Sequence, residues 1–250
     1  MMNLAVLRRI ASTVLLAGAC AGVLLTGVQQ LQVSKIILQA EVYEEAAAAK
    51  AHEQAHAHEH EQASAVTPAA GAPAEAHEHE HAGDEWEPAN GFERTAYTVL
   101  ANISMAIGFG LFLAAAIVIS GKQVTWRSGL LWGVAGYLVF FVAPSLGLPP
   151  EVPGTMAAPL HARQLWWVMT AGMTAVGLGL GVYARHWALK LLGVVLLFVP
   201  HLIGAPHPAV HGSAAPEELA QAFIHATALA NGMFWLGLGG LTGYFYKKFA

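Results

Sequence analysis

Charge is scarce in this chain. Only 11% of its 250 residues are charged, against about 25% in an ordinary soluble domain. That deficit argues against a solvated globular surface over most of the length. Cysteine is nearly absent as well: Cys20 is the only one, so no intramolecular disulfide can form and the redox compartment stays undetermined. No stretch alternates with period two over about ten residues, which argues against a transmembrane barrel. No G-x-x-x-x-G-K-[ST] phosphate loop occurs, so the chain carries no nucleotide-driven motor of its own. The apolar stretches also lack Asp, Glu, Lys and His near their centres. Ionisable residues at such positions mark proton relays and ion pathways, and their absence weakens any proton-coupled mechanism.

What is present is apolar: 56% of the residues are hydrophobic. A hydrocarbon core about 30 Å thick takes roughly 20 apolar residues as a helix. Six stretches qualify or nearly qualify, at residues 10–28, 97–119, 129–148, 165–183, 187–203 and 223–244. The fifth is the shortest and contains Pro200. The expected fold is an all-α membrane protein, a bundle of about six transmembrane helices. Orientation follows from Lys and Arg in short loops. With six crossings, Arg8, Arg9, Lys122, Arg127, Arg185, Lys190, Lys247 and Lys248 share one side, while Lys35, Lys50, Arg94 and Arg163 lie on the other. This predicts a multi-pass protein of the bacterial inner membrane with both termini cytoplasmic. All sixteen acidic residues, and every histidine except His186, then lie outside. A rival reading makes the first stretch a cleaved signal peptide. Leu16-Ala17-Gly18-Ala19-Cys20 weakly resembles a lipoprotein site, but the apolar run continues beyond Cys20.

Four pieces follow. Residues 1–30 form the first transmembrane helix. Residues 31–50, rich in Ala and Glu, continue it as a helix projecting from the outer surface. Residues 51–90 consist mainly of Ala, His, Glu, Pro and Gly. That composition has too little apolar surface to offset ordering entropy, so a disordered extracytoplasmic loop is expected in the absence of metal. Residues 91–250 form a five-helix transmembrane domain.

The strongest chemical signal lies in the loop. His56, His58 and His60 form one tract, His77, His79 and His81 another, and His52 precedes them. Neutral imidazole is the commonest protein ligand for divalent transition metals. Alternate residues of an extended chain point the same way, so each triplet can offer several imidazoles to one ion. The interleaved Glu59, Glu61, Glu78 and Glu80 add oxygen donors. The competing reading is a solvated acidic linker with incidental histidines. A disordered tract selects weakly, and the divalent affinity order favours copper over cobalt.

Two further clusters fall in the loops on the same side. Glu151 and His161 are candidate oxygen and nitrogen ligands of a vestibule, although Arg163 is placed to pair with Glu151 and fix the loop. His201 follows Pro200, which cannot donate to the helix ladder and should free the Leu196 carbonyl. His207 and His211 follow in the loop, and His225 begins the sixth stretch. Pro144 should likewise free the Phe140 carbonyl. The plainer alternative is that these prolines only kink or end helices. Trp166 and Trp167 suit an interfacial aromatic belt. Asn102, Ser104, Thr170, Thr174 and Asn231 are polar positions inside the stretches, where interhelical hydrogen bonding is their usual role. Gly18/Gly22, Gly129/Gly133, Gly177/Gly181 and Gly239/Gly243 have the spacing that lets helices approach closely.

Several segments together resemble the CbtA family, the larger membrane subunit of a predicted bacterial cobalt transporter. They are Gln29-Gln30 through Ala40-Glu41-Val42-Tyr43-Glu44, and Glu93-Arg94-Thr95-Ala96-Tyr97 with Ala101-Asn102. Residues 147–154, with Arg163-Gln164-Leu165-Trp166-Trp167, also match. Residues 200–206 and Asn231-Gly232-Met233-Phe234-Trp235 complete the set. The resemblance implies cobalt uptake linked to cobalamin synthesis and a small membrane partner, CbtB, with its own histidine-rich end. The expected function is a transition-metal permease subunit whose cargo is a divalent ion, cobalt favoured over nickel or zinc. No tightly bound cofactor, catalytic residue or nucleic-acid partner is expected; the partners are the bilayer and the CbtB-like subunit. Two alternatives remain: a membrane-anchored metal buffer or sensor that transports nothing, and a haem protein using His201 and His225 as axial ligands.

Overall fold

The computed structural model describes residues 4–64, 86 and 88–249. Among them the regular structure is helical, with no strand and one isolated bridge, so the all-helical expectation holds. In chain order come α1 (Leu4–Leu31), α2 (Val33–Ser64), α3 (Phe92–Ser120), α4 (Trp126–Tyr137), a π turn (Leu138–Val142), the short α5 (Ala143–Ser145), α6 (Leu160–Tyr183), α7 (Trp187–Ile203) and α8 (Glu217–Lys248). Four units are long and apolar enough to cross a membrane: α1, α3, the α4–α5 unit Trp126–Ser145, and α6.

The other two expected crossings differ from these for separate reasons. α7 has 17 residues, about 25 Å at 1.5 Å per residue, which is less than the about 30 Å hydrocarbon thickness. α8 has 32 residues but is not uniformly apolar. It packs against α1, α2, α3, α4 and the π turn. A helix surrounded by other helices can carry Thr, Asn and Gly where a lipid-facing one carries Leu and Val.

Small residues set the seams. α1 buries Thr13, Val14, Ala17, Gly18, Ala21, Gly22, Leu25 and Thr26, one stripe at helical spacing. Its opposite face exposes Leu15, Leu16, Val23 and Leu24. A Cβ at Gly22 would lie 2.6 Å from the Ile103 Cα on α3. The α4–α8 seam is closer still. A Cβ at Gly129 or Gly133 would run into the Gly239 or Trp235 carbonyl, and one at Gly243 into the Thr125 carbonyl. Lipid tails are as apolar as the helices, so close packing holds such seams together.

α6 and α7 form an antiparallel hairpin at the side of the bundle. Gly177 meets Gly193 there, each Cβ position 2.7 Å from the other's carbonyl. Gly181, expected to share this approach, has open space at its Cβ position. Its backbone still faces α7, because the Cβ position of Gly193 lies 3.4 Å from the Gly181 nitrogen. Away from α6, α7 exposes Leu191, Leu192, Val194, Val195 and Phe198. The hairpin reaches the rest of the molecule through α6, which touches the π turn and α5.

Pro144 shapes that junction. Lacking an N–H, it cannot donate to Phe140, and the ladder loosens one residue earlier: the Ala143 N–H bonds the Leu138 carbonyl, five residues back. The Phe140 ring stacks on Trp235 at 5.4 Å and also contacts Phe109 and Trp167.

Two expectations need correction. Trp166 does not belong to an interfacial belt. It is 5% exposed, its Nε1 donates to the Pro200 carbonyl at 3.3 Å, and its ring fills the space a Cβ at Gly147 would need. Adjacent helical residues point about 100° apart, so one of the two tryptophans faces inward. The first part of the His/Glu tract is also helical, since α2 continues through Ala51 to Ser64. Ala, Glu and Gln are good helix formers, and no Gly or Pro interrupts the run before Pro68. The remaining loop positions, except Trp86 and residues 88–90, lie outside the described residues.

Candidate functional site

The two ends of the bundle differ in charge. Contacts of Arg9 with Tyr246 and of Lys122 with Tyr183 bring the start of α1, the end of α8, the α3–α4 turn and the end of α6 to one end. That end is basic. The base of α2, the start of α3 and the loops at residues 149–159 and 204–216 lie at the other, which carries the carboxylates.

Three fastenings build the acidic end. In the first, Arg94 grips Glu41 with both terminal guanidinium nitrogens, Nη1 at 3.0 Å from Oε2 and Nη2 against Oε1. Arg94 also donates to Asn90 Oδ1 at 2.8 Å, and the Ala89 N–H donates to the Glu93 carboxylate at 3.1 Å. In the second, Asn102 Nδ2 donates to Thr26 Oγ1 at 2.9 Å and Gln29 Oε1 at 2.7 Å, while Gln30 Nε2 reaches Thr95 Oγ1 at 3.3 Å. Together these tie the α1–α2 junction to α3. The one-residue break at Gln32 is thus bracketed by polar contacts on both sides.

The third fastening joins the two loops. Thr155 and Ser213 form an antiparallel bridge. The Met156 N–H donates to Gly212 O at 2.9 Å, the Ala214 N–H to Gly154 O at 3.1 Å, and the two hydroxyls meet at 3.1 Å. Gly154 adopts a left-handed φ of 74°, which favours glycine. Its missing Cβ leaves room for Glu44 of α2 and for Ala214. Val152, Ala215 and Ala40 are buried beneath this cap.

The candidate ligands are distributed over this end. Glu151 pairs with Arg163 at 3.5 Å. His161 is exposed on the first turn of α6. His201 is half-buried on the last turn of α7, edge-on to Trp166 at 6.0 Å. His207 is exposed in the loop with its ring 6.2 Å from His211, the one close imidazole pair among the described residues. His225 is exposed on α8. His52 is exposed on α2. His56, His58 and His60 fall on the last turns of α2, where backbone register sets positions 52, 56 and 60 four apart. The backbone there is helical, unlike the extended alternation expected. His77, His79 and His81 lie outside the described residues.

Among the described residues no three His, Cys, Asp or Glu come together as a metal site. The vestibule ligands are therefore neighbours at one end of the molecule without converging on a point. A shallow groove of about 530 Å³ runs between α2 and the start of α8, lined by Gln39, Val42, Tyr43, Pro216, Glu218 and Leu219. It offers one carboxylate and no imidazole. The interior amides are engaged as well: Asn102 as above, and Asn231 Nδ2 with the Thr227 carbonyl at 3.0 Å. Asn102 fastens α3 to α1, whereas Asn231 bonds one turn back within α8 and joins no second helix. Sequence reasoning missed the Glu41–Arg94 pair, because nothing in either segment signals a partner 53 positions away.

The segments singled out in the sequence meet in space. Gln29, Gln30 and Glu41 contact Asn102, Thr95 and Arg94. Residues 147–154 contact Arg163 and Trp166, and Trp166 contacts Pro200. Trp235 packs on Gly136 and Phe140. Comparison with known proteins agrees with this pattern. The family described as "Probable cobalt transporter subunit (CbtA)" matches residues 7–247. No curated protein and no solved structure matches. The chain belongs to the CbtA family and is a multi-pass membrane protein.

Proposed function

We propose that this chain is the membrane-embedded subunit of a cobalt uptake transporter that gathers its cargo on the His/Glu arm. The match to a cobalt transporter family over residues 7–247 carries this reading. The arm supports it. α2 extends from the bundle into a tract holding His52, His56, His58, His60, His77, His79 and His81, and imidazole with interleaved carboxylate suits divalent transition metals.

In this reading α7 and α8 join the four long apolar units as crossings, giving six. The charge sorting supports that count, because it leaves the eight basic residues of the short loops and chain ends on one side, as the positive-inside tendency requires. The arm then faces away from the cytoplasm in a bacterial inner membrane. Captured ions pass to the acidic end, where Glu151, His161, His201, His207 and His225 are loosely spaced. Weak, dispersed sites suit handing on an ion, since conduction needs binding that also releases. The membrane potential favours entry by about 2.3 kcal/mol per charge per 100 mV, and a divalent ion gains about twice that. A small histidine-bearing CbtB-like subunit supplies groups this chain lacks. Cobalt is favoured over nickel and zinc as cargo, and the chain is not an enzyme and holds no tightly bound cofactor.

One observation favours a second reading, a membrane-anchored metal buffer: the described residues hold no converged three-ligand site inside the bundle. Uptake of radioactive cobalt into proteoliposomes separates the two, with the chain alone and with its partner, in competition with nickel, zinc and copper. Cobalt-selective flux supports transport. Metal binding with no flux in either preparation would favour the buffer.

A further inference from the structure

The basic end of the bundle contains a groove that neither metal capture nor helix packing explains. It holds about 580 Å³ and is lined by Thr125, Trp126, Arg127, Tyr244, Lys247 and Lys248. Three cations therefore meet two aromatic rings where the start of α4 lies beside the end of α8. The Arg127 guanidinium sits over the Trp126 ring at 5.4 Å, and the Lys248 ammonium over Tyr244 at 5.8 Å. Both rings are about half exposed, and aromatic residues of this kind favour the membrane–water boundary.

Among the described residues no carboxylate side chain lies at this end. The described ones lie on α2, on the first turns of α3 and α8, and at Glu151, all toward the acidic end. Ion pairs among the described residues, Glu41–Arg94 and Glu151–Arg163, occur only there. Arg9 shows what an engaged cation looks like at the basic end. Its guanidinium covers Tyr246 at 3.8 Å and its Nε donates to the Tyr246 carbonyl at 2.7 Å. Arg127, Lys247 and Lys248 are exposed, and among the described residues no such bond engages their charged groups. A cation over a ring still presents N–H donors outward, and Arg and Lys donors bind phosphate oxygens strongly.

We propose that this groove binds the phosphate headgroup of an anionic phospholipid. Arg127, Lys247 and Lys248 contact the phosphate, and Trp126 and Tyr244 lie against the glycerol and upper acyl chains. Basic pockets between transmembrane helices at one membrane face are a recurrent setting for such headgroups. The site depends on the bundle being membrane-embedded and is independent of what the protein carries.

Native mass spectrometry of the purified full chain tests this, with phosphatidylglycerol and phosphatidylcholine competing for retention and inorganic phosphate in a separate arm. The wild type should keep phosphatidylglycerol preferentially. R127Q/K247Q/K248Q should reduce that preference at least tenfold. K247Q alone, the gentler change if the triple variant inserts poorly, should reduce it about threefold. R185Q/K190Q removes two charges from the same end without touching the groove and should leave it unchanged. Equal retention of both lipids by the wild type would overturn the proposal, as would an undiminished preference in the folded variants. Displacement of the lipid by millimolar inorganic phosphate would reassign the groove to free phosphate.

Discussion

The central bundle of α1, α3, α4 and α8 and the α6–α7 hairpin are built on the same device, glycine against backbone, but differ in how many seams they have. α8 is gripped by α1 and by α4, and its Gly239 and Gly243 sit where a Cβ would overlap neighbouring backbone. α7 has one substantial partner, α6. Its tie near the acidic end is one indole N–H on the carbonyl of Pro200. The bundle is therefore the frame and the hairpin an appendage, and it is the appendage that carries His161 and His201. Helix packing in the frame is over-determined, whereas in the hairpin a single contact matters more.

Substitutions can break or sharpen that contrast. The largest effect should follow from Gly239→Leu, which cannot be accommodated without moving α4 from α8. We expect a loss of about 3 kcal/mol or more, read as loss of the folded species in detergent thermal denaturation. Gly179→Leu, with open space at its Cβ position, should stay within about 0.5 kcal/mol of wild type. Next comes Trp166→Phe, which removes the donor to Pro200 and shrinks the buried ring system packed on Gly147. It should cost about 2 kcal/mol and speed hydrogen exchange over the last turns of α7 while leaving α8 unchanged. Equal change in α8 would mean the hairpin is part of the frame.

Arg94→Gln should matter less to global stability. The pair with Glu41 is about one-third exposed, so solvent screening limits it to about 1 kcal/mol or less. Its signature should be faster exchange in the first turns of α2. Deleting Ala51–His81 should leave the melting temperature unchanged. It should raise the metal concentration needed for half-maximal uptake and preserve the maximal rate. Loss of uptake at every concentration would put the arm inside the pathway.

The apolar runs made the helices legible, because a span buried in lipid must be long and lack charge. α8 was located by the same pattern although its surroundings differ: its Asn, Thr and Gly content reflects shielding by other helices. The Gly129/Gly133 and Gly239/Gly243 pairs pointed to the right seam. Gly177/Gly181 marked the α6–α7 seam, but Gly193, the partner across it, has no glycine four residues away and carried no signal of its own. Trp166 and Trp167 looked alike in sequence, yet their side chains leave the helix in different directions. The helical stretch from Ala51 to Ser64 was legible in its Ala and Glu content but was outweighed by the histidine pattern. The fastenings Glu41–Arg94 and Asn102–Gln29 were illegible, because each joins segments more than fifty residues apart. The candidate ligands could be read as residue types, but their spacing at the acidic end could not.

Sidedness is what links the two ends of the molecule to uptake, and one measurement reaches it directly. In a Cys20→Ser background, Ala70→Cys is probed with a membrane-impermeant thiol reagent in intact cells. The account predicts full labelling without permeabilisation, with the His/Glu arm outside. Labelling only after the membrane is opened would put the arm in the cytoplasm and contradict capture of an incoming ion.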